Sequence, residues 1–443
     1  MSDQFSMTAS EQGRAIQRGD LDPVDVVTAY FDRIDGAADS VRTFTKLTND
    51  RALAEAQAAR TRAKAGSRFS PLDGVPISWK DLFDTAGSAT EAGSALLKGR
   101  VPDQDCVALR NATHSGLVCM GKTHMSELAF SGLGLNPITQ TPPCINDPHA
   151  VPGGSSSGAA TSVAFGFSSA AIGSDTGGSV RIPSSWNDLV GLKTTAGRVS
   201  LKGVVPLCES FDTVGPLCKS VEDAAHILAA LEGQKPIDLA NEPLAGRRFA
   251  VLDTVAFDDI RDEPAKAFDQ AVQRLAKAGA RVERITCESV AEAMPLSAIL
   301  FTSEAYGTWK QDIEKAPELM FPEILARFRS GAEFAAADYV AAWQKLHALR
   351  QAYHDQTAGF DAVLVPTAPI LPPNAQRLLE DQDYYVTENL LALRNTRIGN
   401  LMGTCAVTLP TDVPSCGLSL MGKPFKEEHL LRVSSAVERV LRG

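Results

Sequence analysis

Between residues 71 and 230 the apolar residues fall in short runs cut by Gly, Pro and Ser, as in GVPISWK at 74–80, GLVCMGK at 116–122 and SSAAIGSD at 168–175. Runs of that length suit strands, and because helical patterns lie between them the order predicts an α/β sheet. The small-residue stretch GAATSVAFGFSSAAIG, 158–173, fits a buried helix followed by a strand that ends just before Ser174. It is too polar and too short for a membrane span.

On either side the pattern changes. Upstream, DPVDVVTAYFDRID has apolar residues at helical spacing, with Asp22 as N-cap and Pro23 in the first turn. A second, Ala-rich helix runs from about Asn49 to Ala65 and ends at Gly66, so these two form an N-terminal helical cover. Downstream, RRFAVLD, DEPAKAFDQAVQRLAKAGA and RVERIT make a strand, a helix and a strand, with Gly279 where a helix-terminating glycine belongs. Residues 289–360 read as mainly helical, and FDAVLVPTAP at 360–369 returns to a strand stopped by prolines. Nothing resembling a repeat, a low-complexity tail or a long linker divides the 443 residues. One domain is therefore expected, with a helical cover at 1–66, a core at 67–230, a strand–helix–strand unit and helical insertion at 231–360, and a return to the core sheet at 361–443.

Hydrophobic content of 44% and charged content of 22% allow a sizeable core. A net charge of -10 disfavours nucleic acid and anionic membrane as partners. The opening MSDQFSMTASEQ lacks the basic and apolar segments of a secretory signal, and no long purely apolar run occurs, so the chain reads as cytoplasmic. Its 8 cysteines are scattered without CxxC pairing, which suits reduced thiols. Its 7 histidines are dispersed and no HExxH occurs; His347 and His354 could share a helix face, but that is weak evidence for ligands, and no metal or cofactor is expected. Neither GxxxxGK[ST] nor a strand-to-helix GxGxxG is present, which removes the common phosphate-cradling loops.

Two Ser/Gly loops remain, PGGSSSG at 152–158 and DTGGSVR at 175–181. Alone, each is ordinary turn vocabulary. A serine hydroxyl becomes a useful nucleophile only with a base, and the oxyanion formed on attack needs oriented N–H donors. In Asp175-Thr176-Gly177-Gly178-Ser179 the glycines allow successive N–H groups to face one concavity, so the segment offers both a serine and a donor nest. With no histidine near either loop in sequence, a lysine is the other candidate base, provided that burial leaves it neutral. Lys80, at the end of Gly74-Val75-Pro76-Ile77-Ser78-Trp79-Lys80, is placed to be carried inward.

GVPISWKD at 74–81, PGGSSSG and GSDTGGSVRIP at 173–183, taken in that order, resemble the amidase signature family of serine amidohydrolases. KTHMSELAFSGLGLN at 122–136, DLVGLKTTAGRVS at 188–200, SFDTVGPL at 210–217 and, weakly, VLVPTAP at 363–369 extend the resemblance. It implies an α/β/α sandwich with a large central mixed sheet covered by helices. The family's lysine falls on Lys80, its bridging serine on Ser155 and its nucleophile on Ser179, with Ser156 in support and Ser157 where many members have glycine. It further implies an oxyanion hole of the Thr176, Gly177, Gly178 and Ser179 N–H groups, a cis peptide bond between Gly154 and Ser155, an Asp175 that fixes the loop, and an Arg181 more suited to a structural ion pair than to substrate. Lys193 and Arg198 follow in the signature.

The implied activity is hydrolysis of a small carboxamide or urea-type compound to an acid and ammonia or an amine, without cofactor or metal, by a chain that works alone or as a homodimer. The alternative is the A subunit of an aminoacyl-tRNA amidotransferase, which shares the machinery but works with partner subunits. Tyr306 and Trp309 are candidates for the acyl pocket, although aromatics at helical spacing more often serve a core. Two departures from the family pattern, PSSWNDLVG at 183–191 and SCGLSLMG at 415–422, leave specificity open.

Overall fold

Eleven strands form one mixed sheet in the computed structural model, which describes residues 4–239 and 242–443. In chain order they are β1 (Phe44–Leu47), β2 (Pro76–Lys80), β3 (Val118–Thr123), β4 (Ala170–Ser174), β5 (Val190–Lys193), β6 (Val214–Cys218), β7 (Arg248–Leu252), β8 (Arg281–Ile285), β9 (Ala362–Pro366), β10 (Ala406–Pro410) and β11 (Gly417–Met421). Across the sheet the order is β1-β3-β2-β4-β6-β5-β10-β11-β9-β7-β8. The strands β3, β2 and β4 run parallel, as do β9, β7 and β8, and the remaining pairs are antiparallel. The two halves of the chain meet where β5 pairs with β10, Ala406 opposite Lys193.

Every residue of β2, β3 and β4 is buried, because helices cover both faces. The face bearing Ser78 and Lys80 packs against the helix Ser157–Ala164, and Ser78 Oγ lies 2.7 Å from Ser162 Oγ. Small residues let that helix come close. A Cβ on Gly158 would sit 2.5 Å from the Thr43 carbonyl and 2.7 Å from the His124 nitrogen, both backbone atoms that cannot rotate away. The small-residue run at 158–173 is thus a helix and a strand, with Ser174 as the strand's last residue.

Helices occupy Pro23–Asp35, where the Asp22 side chain accepts from the Val24 N–H, and Asn49–Lys64, as the apolar spacing predicts. The N-terminal cover also holds a helix at Ala9–Arg18, opened by a Thr8–Glu11 capping box, and the edge strand β1, neither of which is expected from the sequence pattern. Strands β7 and β8 flank the helix Asp262–Lys277, with Gly279 at φ +95° just beyond it. Residues 288–357 are mainly helical, and the longest pieces are Leu296–Lys315 and Ala336–Thr357. Among the described residues no helix is long and apolar enough to cross a membrane.

Replacing a helical glycine by alanine ordinarily stabilises by about 0.5–1 kcal/mol. At Gly158 the sign should reverse. Gly158→Ala is expected to lower unfolding stability by about 1–3 kcal/mol through overpacking, read as a fall in the urea midpoint. An unchanged or higher midpoint would mean that the close approach to Thr43 and His124 does not constrain this helix.

Candidate active site

Lys80 ends β2 and Ser174 ends the neighbouring parallel strand β4, so both side chains emerge at the same edge of the sheet. Loops beyond the carboxyl ends of parallel strands are where α/β sheets usually place their sites. Lys80 is fully buried; its Nζ lies 2.6 Å from Ser155 Oγ and 2.8 Å from Ser174 Oγ, and no carboxylate pairs with it among the described residues. Burial pushes its pKa down to about 7, against the opposing pull of Asp212 and then Asp175.

The PGGSSSG loop is held by backbone. Gly153 and Gly154 donate to the carbonyls of Leu133 and Gly132, and the Ser155 carbonyl accepts from the Ser126 N–H. The peptide bond between Gly154 and Ser155 is cis. A Cβ on Gly154 would lie 2.5 Å from the Gly134 nitrogen, which explains glycine there. Ser156 ties this loop to the next: its N–H donates to the Ser179 carbonyl at 3.3 Å, and its hydroxyl donates to the Ser174 carbonyl at 3.2 Å. Ser157 begins the covering helix and bonds the His124 carbonyl. His124 therefore contributes backbone here; burial lowers its ring pKa to about 4.

The DTGGSVR loop is fixed by a buried ion pair. Arg181 donates from Nε and Nη2 to the two carboxylate oxygens of Asp175, at 3.0 and 2.9 Å, and also to the Thr396 carbonyl and Asn400 Oδ1. Burial alone would raise the Asp175 pKa, but the Arg181 charge and hydrogen bonds, with Lys193 and the Asn400 amide, hold it well below the usual carboxylate range. Asp175 also accepts from the Val180 N–H, so one carboxylate anchors the turn that carries Ser179. At Gly178 φ is +142° and a Cβ would fall 2.1 Å from Thr396 Oγ1, while the Thr396 hydroxyl itself donates to the Gly177 carbonyl at 2.7 Å. Among the described residues, the N–H groups of Thr176, Gly177, Gly178 and Ser179 have no protein acceptor. Thr176 Oγ1 bonds Asp212, whose carboxylate also accepts from Leu207 and Cys208.

A cavity opens beside Gly177 and Ser179, walled by Phe301 and Leu393, with Arg327 and Arg397 in its lining. A second cavity shares Phe301, Arg327 and Arg397 with the first. A single helix, Gln382–Leu401, supplies Leu393 and Arg397 to the cavity and Thr396 and Asn400 to the loop behind it.

The family model described as Amidase aligns with residues 25–431. The chain belongs to the amidase signature family. Among the relatives of this amidase is the 2-amino-5-chloromuconic acid deaminase of Comamonas testosteroni, 35% identical over 98% of this chain and 96% of the relative. Another, from Geobacter sp. (strain M21), is the A subunit of its glutamyl-tRNA(Gln) amidotransferase, 30% identical over 98% and 97%. A solved amidase structure superposes with a TM-score of 0.88 at 28% identity, covering 98% of this chain and 100% of the other. The α/β sandwich with a large mixed sheet is thus the family fold, and the chain is an enzyme of carbon–nitrogen bond hydrolysis.

Within this amidase some expected residues sit elsewhere. Tyr306 and Trp309 do not line the cavity at Ser179: the Tyr306 hydroxyl bonds Glu314, and Trp309 is in the core with Nε1 on the Pro206 carbonyl. The helix Leu296–Lys315 reaches the cavity through Phe301, and Trp309 is about 12 Å farther along the axis. The departures at 183–191 and 415–422 touch each other instead of the cavity, through Ser415 N–H to Asp188 and Ser415 Oγ to the Trp186 carbonyl. His347 packs on Trp343 and His354 meets the Met402 carbonyl. Lys193 donates to the carbonyls of Thr194 and Thr404, and Arg198 pairs with Glu232, Glu427 and Glu428. All eight cysteines are buried and unpaired.

Removing one partner of a buried ion pair leaves an uncompensated charge and costs about 3–5 kcal/mol. Arg181→Met is expected to destabilise this amidase by that amount in denaturant unfolding. A loss below about 1 kcal/mol would show that Asp175 does not depend on it.

Proposed function

We propose that this amidase cleaves the C–N bond of a small carboxamide or urea-type substrate through a Ser179 acyl-enzyme, with Ser155 as proton relay and Lys80 as base. The observation that carries the reading is the contact of a buried lysine, free of any carboxylate and poised near neutrality, with the Ser155 hydroxyl at 2.6 Å. A neutral amine there has a lone pair for the Ser155 proton. As Ser155 gives that proton to Lys80 it takes the one on Ser179, whose oxygen then forms the bond to the substrate carbonyl carbon. The carbonyl π electrons move to oxygen, where the N–H groups of residues 176–179, which have no acceptor among the described residues, stabilise the charge. Each such donor is worth about 3–4 kcal/mol in comparable sites. Collapse of the tetrahedral species breaks the C–N bond, and the proton held by Lys80 returns through Ser155 to the leaving nitrogen. Water then repeats the sequence on the ester to release the acid and restore Ser179.

The second reading, a glutamine-hydrolysing component of a tRNA amidotransferase, is favoured by relatives of that name at 30% identity. Chain length does not separate the two, since the amidotransferase relative is spanned almost completely. Nor do the atypical segments at 183–191 and 415–422, which sit together away from the cavity. The 2-amino-5-chloromuconic acid deaminase, at 35% identity, supports a hydrolase acting on a small molecule. The buried free thiols suit a reducing cytoplasm. Co-purification with stoichiometric partner subunits decides for the amidotransferase.

Ser179→Ala is expected to abolish both amide turnover and labelling by a fluorophosphonate while retaining the fold; substantial turnover would remove Ser179 as nucleophile. Lys80→Ala should cost as much, and acylation at the parent rate would point to another base. Because the reactive form of Lys80 is the neutral one, present above its folded pKa of about 7, kcat/KM should fall about tenfold per pH unit below that value. A profile flat to pH 5 would contradict the assignment.

A further inference from the structure

The cavity at Ser179 contains charge that the protein leaves unanswered. Arg327, from the helix Pro322–Arg329, and Arg397, from the helix Gln382–Leu401, both line it, and among the described residues no Asp or Glu does. Arg327 donates to the Phe130 carbonyl at 3.0 Å and stacks on the Phe130 ring. Among the described residues Arg397 reaches only Ser297 Oγ, at 3.4 Å, and its buried Nε has no partner. Among the described residues neither forms an ion pair. Burial lowers both pKa values, to about 10 for Arg327 and about 9 for Arg397, where the Arg327 charge adds to the effect. Guanidinium stays protonated at such values near neutral pH.

Two other enclosed guanidiniums are matched to carboxylates, Arg181 to Asp175 and Arg198 to three glutamates, while Arg350 rests on the Leu401 and Asn400 carbonyls and the Trp343 ring. Two unmatched cations converging on one cavity are costly unless something anionic enters it. Glu323 lines the adjoining cavity, one helical turn from Arg327, and pairs with neither arginine. The lining at Ser179 therefore holds two cations for an anion and no carboxylate for an amine. Phe301 and Leu393 supply apolar walls between.

We infer that the substrate is a small amide bearing a carboxylate and no ammonium group, such as the monoamide of a dicarboxylic acid, with its carboxylate held by Arg327 and Arg397 while Ser179 faces the amide. This rests on the hydrolase reading above and narrows it. Glutamine fits poorly, because its ammonium would enter a cavity that already carries two positive charges. Planar guanidinium forks match a carboxylate through paired N–H donors, and hydrogen bonds to charged groups are the strong ones.

The test measures ammonia release from succinamate and glutaramate beside butyramide, their uncharged counterpart, and glutamine, for the parent protein and for Arg327→Met, Arg397→Met and Arg397→Lys. Succinate binding to Ser179→Ala, by calorimetry, reads the same site without turnover. The acidic amides should exceed butyramide and glutamine in kcat/KM by about tenfold or more, mainly through KM. Each Met variant should lose that preference, Arg397→Lys should keep part of it, and succinate should bind Ser179→Ala but not Ser179→Ala/Arg397→Met. Equal turnover of butyramide and succinamate, or preferred glutamine, overturns the carboxylate site while leaving the hydrolase intact. If the parent protein hydrolyses no amide and Ser179 takes no fluorophosphonate, the hydrolase reading fails, and succinate binding then decides the arginine pair by itself.

Discussion

An ammonium group buried without a carboxylate partner is unfavourable, and the site is arranged around that fact at Lys80. The penalty falls on the charged form, so burial is what brings the Lys80 pKa down to about 7. Two serine hydroxyls, Ser155 and Ser174, satisfy the nitrogen without supplying negative charge. Asp175 and Asp212 are near enough to pull the other way, and each is occupied elsewhere: Asp175 by Arg181, Asp212 by Thr176 and two backbone N–H groups. A carboxylate in contact with Lys80 would favour the charged form and hold it protonated.

The same distinction separates the other enclosed cations. Lys122 pairs with Asp81 and Lys193 rests on carbonyl oxygens, whereas Arg181 is matched on both edges of its fork. These groups fasten one segment to another. Lys80, Arg327 and Arg397 are the cations that the protein leaves without carboxylates around Ser179 and its cavity. What sets Arg327 and Arg397 apart is that they line an open cavity instead of joining two packed segments.

Much of this is legible in the sequence, for physical reasons that differ by residue. Lys80, Ser155 and Ser179 stand out together: a lysine ending a strand is most often a surface group, and it is the order of the three motifs, with the serine spacing and glycines of a known pattern, that singles it out. Asp212 lies inside a recognised segment, yet its role depends on Thr176, 36 positions away. Strand β1 is hidden because FTKL is short and its two central side chains face solvent, as edge strands do. Tyr306 and Trp309 are attractive as aromatics, but helical rise carries them past the cavity that Phe301 reaches. Arg327 and Arg397 give no local signal: an arginine in a helix looks solvent-facing until another helix covers it.

The helix Gln382–Leu401 shows why the site is more than its signature loops. Leu393, Thr396, Arg397 and Asn400 are spaced i, i+3, i+4 and i+7, the period of one helix face. That face mixes apolar, hydroxyl, cationic and amide groups, so it carries no amphipathic pattern by which sequence alone would single it out. Its members reach positions 219 and 225 residues earlier, Thr396 at the Gly177 carbonyl and Asn400 at Asp175. Leu393 and Arg397 meanwhile line the cavity. One rigid element thus sets both the loop that carries Ser179 and a wall of the cavity beside it. A shift of this helix would move both together, so that the cavity wall and the orientation of the 176–179 N–H groups are mechanically linked. The strands supply the lysine and the turn, while the packing of a distant helix shapes the cavity beside them.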